Sequence, residues 1–134
     1  MDLLTPVNGA AALYALLAAG HFALLVHDSL REARFLKPAD KPLLNRLRKT
    51  TPVLAPEGAD FWKAVLGAQA SHVLGLVMFV FLIEVASGPL MAWLRWPLLA
   101  IALIYAVISW RCWFWLPTTA FGTALALLAL AWIV

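Results

Sequence analysis

The sequence predicts an all-α fold: an integral membrane four-helix bundle, with a short interfacial helix in the cytoplasmic loop. Three observations carry it. The 134 residues are 64% hydrophobic and only 13% charged, with a mean hydropathy of +0.89. A soluble domain carries about a quarter charged residues, so half that share leaves too little polar surface to face water on all sides. Four apolar runs stand out: Val7–Val26, Phe61–Ala86, Trp96–Trp115 and Pro117–Val134. Each comes close to the ~20 residues that cross ~30 Å of hydrocarbon as a helix, the open-chain structure that satisfies its own backbone there. The third observation is the placement of charge. Arg31, Arg34, Lys37, Lys41, Arg46, Arg48, Lys49 and Lys63 lie in or at the edge of the first connection, and Arg111 lies near the third. Only Arg95 lies in the second. Nine cations against one assign the loop 27–60 to the cytoplasm and both termini to the opposite side.

The first span is expected to be retained, because an acidic residue and no basic run precede it and no small-residue cleavage site follows a short apolar core. The loop after it contains "DKPLLNRLRKTTP". Asp40 is placed to cap a helix and Pro42 stands near its first position. Leu43, Leu44 and Leu47 then share one face while Arg46, Arg48 and Lys49 lie elsewhere, the pattern of a short helix lying on anionic inner-leaflet lipid. Nucleic acid is not an expected partner, because no basic face is interleaved with stacking aromatics.

Asp60 is a candidate cap for the second span, the longest of the four. Trp62, Trp93, Trp96, Trp110, Trp113 and Trp115 fall near span ends, as an aromatic belt does. Glu84, within a turn of the exit of the second span, is expected to reach for the interface or for Arg95. The single cysteine, Cys112, excludes an internal disulfide and a multi-cysteine metal site. No Gly-rich phosphate loop, zinc spacing or nucleophile elbow is present.

Between lipid-solvated helices, close backbone approach and interhelical hydrogen bonds hold a bundle together. Small residues recur every fourth position at Gly67, Ser71 and Gly75 on the second span and at Ala11, Ala15, Ala19 and Ala23 on the first. These two stripes are expected to form a packing seam that pairs the first span with the second. At its margin stand polar residues: Gln69 and His72 on the second span, His21 on the first. An ionisable group inside a span marks a functional-site hypothesis. Three readings compete. The imidazoles are neutral and only brace the bundle; or His72, Ser71, Gln69 and His21 form a polar pocket for a lipid, quinone or other amphiphile; or His21 and His72 ligate a haem or share a metal ion. The seam argues against haem, since it closes the cavity a macrocycle needs. Asp28 and His27 are expected to form a solvated helix end, since adjacent helical residues point in different directions.

The chain also resembles an uncharacterised family of small four-span bacterial membrane proteins. The resemblance rests on His21, on "FLKPAD", on "FWKAVLGAQASHVLGL" and on "WFWLPTTAFGTALALLALAW", and is densest at Trp62, Gly67, Ser71, His72, Leu74 and Gly75. Family members carry an aromatic and an asparagine after that first glycine, where this chain has Ala68 and Gln69. The resemblance implies a multi-pass protein of the bacterial inner membrane and directs attention to His21 and His72; it implies no reaction. The expected function is that of a non-enzymatic accessory subunit or a lipid-binding bundle, with no cofactor and with a second protein or a second copy of the chain as possible partner. The alternative is a redox or acid–base component binding haem or quinone. A transporter assembled from several copies is disfavoured, since neither repeats nor broken helices are evident.

Overall fold

The computed structural model describes residues 5–30, 41–51, 60–112 and 115–133, with the side chains of Leu90 and Cys112 excepted. The cap assigned to Asp40, the belt position of Trp113 and the "FLKPAD" stretch lie outside the described residues. Within them the chain is helical almost throughout: α1 Pro6–Leu30, α2 Lys41–Lys49, α3 Phe61–Ser87, a 3-10 segment Pro89–Leu94, α4 Arg95–Cys112 and α5 Trp115–Ile133. Four stretches are long and apolar enough to cross a membrane: Pro6–Leu30, Phe61–Ser87, Met91–Arg111 and Trp115–Ile133. The chain is an all-α, multi-pass membrane protein.

Each start has a local cause. Thr5 caps α1, its Oγ1 accepting from the Asn8 amide at 3.2 Å. Asp60 caps α3, its carboxylate accepting from the Lys63 amide at 2.7 Å, as its place before the apolar run predicts. Pro6, Pro42, Pro97 and Pro117 fall within the first three residues of α1, α2, α4 and α5, where the missing N–H has no partner to lose. Trp115 therefore opens α5 instead of closing the third span, and the last span begins two residues earlier than the sequence suggests. α1 continues four residues past Val26 to Leu30, with Ser29 Oγ donating to the Leu25 carbonyl at 2.7 Å in its last turn.

The chain divides into two units, residues 1–18 with 75–134, and residues 19–74. The first is a four-helix bundle. Its core takes Ala10, Tyr14 and Ala18 from α1, Leu76, Phe79, Ile83 and Ala86 from α3, Leu98 and Ala102 from α4, and Phe121, Ala124 and Leu128 from α5. These spacings of three and four place one face of each helix inward. The outward faces carry Leu16, Val77, Phe81, Leu103 and Leu130, all exposed, so both faces are apolar and lipid covers the outer one. At the centre four rings interlock. Tyr14 meets Phe79 edge-on at 4.7 Å and Phe121 at 5.6 Å, while Tyr105 stacks on Phe121 at 5.4 Å. Such pairs contribute roughly 0.5–1.5 kcal/mol each beyond area burial. Two glycines permit close approach: a Cβ on Gly9 would stand 3.2 Å from Leu127 Cδ1, and one on Gly75 3.1 Å from the Tyr105 hydroxyl. Ser109 and Thr118 hydroxyls join α4 to α5 at 3.4 Å.

At the turn between α3 and α4, Arg95 Nε donates to the Ala86 carbonyl at 3.1 Å and its Nη2 to that of Ser87 at 3.4 Å. The guanidinium thus answers the free carbonyls and negative dipole end of α3. Glu84, expected to reach for the interface or for Arg95, is exposed.

In the second unit α2 docks through Leu44, buried against Trp62 with Val65 and Leu66 beside them. The Phe61 amide donates to the Thr50 carbonyl at 3.0 Å and ties the two helices in sequence. Trp62 is only 5% exposed, so it is a packing residue and not the belt anchor its position suggests. Leu43 faces outward, because the α2 contact is too narrow to cover a full leucine face.

A pair of imidazoles inside the spans

The candidate site lies wholly within the second unit. His21 is buried on α1; His72 is half-buried on α3. Their ring centres stand 5.0 Å apart with planes at 72°, an edge-to-face contact. His21 is three residues from the midpoint of α1 and His72 two from that of α3, so both lie within about 5 Å of their helix centres along the axis. The sequence places both histidines on neighbouring helices, and they meet at one level.

Gln69 precedes His72 by three residues and shares its face. Its Oε1 is buried and has no hydrogen-bond partner among the described residues. Ser71 does not join them. It is exposed, and its hydroxyl donates to the Gly67 carbonyl of its own helix at 3.1 Å. A rotation of 100° per residue turns it off the face that carries Gln69 and His72, and the bond within the helix satisfies it locally.

The expected seam is also corrected. Ala15, Ala19 and Gly67 are exposed, and nothing lies within 4 Å of a Cβ placed on Gly67. With 3.6 residues per turn, a series spaced by four drifts 40° at each step. One end of each series reaches an inward face, Ala11 buried and Gly75 half-buried, and the rest rotates outward. The inner face of α1 follows Tyr14, Ala18 and His21 instead.

Asp28 was expected to be solvated, yet it is 3% exposed. It accepts from His27 Nδ1 at 2.9 Å, so the neighbouring side chains do converge. Asp28 follows His21 by seven residues, two helical turns, and stands on the same face of α1 about 10 Å away along the axis. That spacing was the available signal for it.

The donor set bears on cofactors. Among the described residues no group of three or more His, Cys, Asp or Glu side chains is placed to hold a metal ion. Two imidazoles on opposite sides of a haem iron stand on one line with centres about 6 Å apart, given metal–nitrogen bonds of about 2 Å. Ring centres 5.0 Å apart stand closer than that arrangement requires. What the imidazoles and the amide offer is hydrogen bonding: each neutral ring has one donor and one acceptor, and the amide has both. Comparison with protein-family models, curated proteins and solved structures returns no match for this chain, so the family resemblance rests on the residues that carry it.

Proposed function

We propose that the chain is a non-catalytic protein of the bacterial inner membrane whose polar centre, His21, His72 and Gln69, receives the head of a membrane amphiphile. The loop 27–60 faces the cytoplasm and both termini face the periplasm, in keeping with the distribution of Lys and Arg. The observation that carries the reading is the asymmetry of the pair. His21 is enclosed, whereas His72 is open on one side to the surrounding lipid. A ligand dissolved in the membrane reaches His72 laterally, and the buried ring fixes it from behind. The exposed cations of α2, Lys41, Arg46, Arg48 and Lys49, hold anionic lipid at the cytoplasmic surface. An accessory role beside another membrane protein is compatible with the same site.

Native mass spectrometry of protein extracted in a mild detergent tests this. The wild type retains an amphiphile at stoichiometric occupancy, and His72→Ala loses it while His72→Gln keeps part of it. Wild-type protein free of any retained mass, and unable to take one up on incubation with total membrane lipid, overturns the proposal.

A further inference from the structure

Resting on that reading, we infer that the head received by Gln69 and the imidazole pair is neutral and carries a hydroxyl, as in a hydroquinone or a long-chain alcohol, and is not the charged head of a phospholipid. Two observations carry it. The first is depth. Both rings lie near the midpoints of helices of 25 and 27 residues, whose lengths of roughly 37 and 40 Å exceed the ~30 Å hydrocarbon layer. A phosphate or ammonium brought there leaves the interface and gives up its hydration, a large cost unless a counter-charge meets it. His21, His72 and Gln69 bear no fixed charge, and Asp28 stands two turns along α1 from His21.

The second is the Gln69 amide. Its Oε1 is enclosed and unanswered among the described residues. A carbonyl oxygen accepts and does not donate, so what completes it brings an O–H or N–H. Buried polar atoms are nearly always paired, and an unpaired one on the helix face that carries the half-buried His72 is where a hydroxyl head gains most. Ala68, exposed and four residues before His72, puts only a methyl group over the approach, since helical side chains lean toward the N-terminus. A quinone, with two carbonyls and no hydroxyl, cannot donate to Oε1, whereas its reduced form can.

The experiment titrates purified protein in detergent with decyl-hydroquinone under anaerobic conditions, with decyl-quinone, with farnesol and with short-chain phosphatidylglycerol, for the wild type and for Gln69→Met. Methionine keeps the length of the side chain and removes the amide, the acceptor together with its N–H donors. Oε1 has no partner to lose among the described residues, and a thermal melt at the wild-type value shows that the variant is folded. The hydroquinone binds the wild type about tenfold more tightly than the quinone, and the preference vanishes in Gln69→Met. Farnesol bound with the same dependence on Gln69 identifies an alcohol as sufficient; farnesol unbound identifies the ring as required, and either supports the hydroxyl. Equal affinity for hydroquinone and quinone in the wild type overturns the inference, as does a preference that survives in Gln69→Met. Phosphatidylglycerol bound at this site in place of the neutral probes overturns it while leaving the amphiphile site standing. Binding of none of the four overturns both.

Discussion

Gly67 and Gly75 belong to one four-residue series and read alike in the sequence, yet only one meets a neighbour. A leucine at Gly75 must displace the Tyr105 hydroxyl, which stands 3.1 Å from the Cβ position, whereas at Gly67 it enters open space. Thermal unfolding in detergent should show Gly75→Leu destabilised by about 1–3 kcal/mol, the usual cost of overpacking, with Gly67→Leu close to wild type. The reverse order would mean that Gly67 is the true contact. The histidines were more legible than the glycines. A polar ring in a span must be enclosed or paired, so chemistry pointed to His21 and His72, whereas a glycine is equally at home facing lipid. Asp28 was hidden for another reason: adjacency to His27 suggested divergence, whereas the two side chains converge in a hydrogen bond of 2.9 Å.

Helix starts were legible wherever the signal was local. A proline in the first turn or an aspartate ahead of an apolar run acts through its own backbone, and Asp60 caps α3 as its position implies. Helix faces were harder to read. When both the inward and the outward side of a helix are apolar, hydrophobic periodicity carries no information about which side meets protein. Trp62 illustrates the limit: tryptophan near a span end suits an interfacial anchor and a packing residue equally, and here it encloses Leu44. Trp62→Ala should therefore release α2, seen as amide hydrogen exchange about tenfold faster across residues 41–49 than in wild type, with exchange in α5 unchanged. Protection retained in α2 would show that another contact holds it.

For the whole molecule, composition alone dictated the fold class, because a chain so poor in charge has few ways to meet its solvent. Orientation is a prediction of the same kind. In a Cys112→Ser background, Thr51→Cys should resist a membrane-impermeant maleimide in intact cells and react after lysis, while Thr5→Cys reacts before lysis. The opposite pattern inverts the topology. The turn between α3 and α4 bears on this directly. Arg95, the lone cation on the sparse side, spends its guanidinium on the carbonyls that end α3. A guanidinium whose donors are spent on a helix terminus, and whose charge the negative end of the α3 dipole offsets in part, is held at that turn instead of reaching toward anionic phospholipid. The residue that looks like an exception to the charge asymmetry is thereby a staple of the hairpin, and two spans so joined can enter the bilayer as one folded piece.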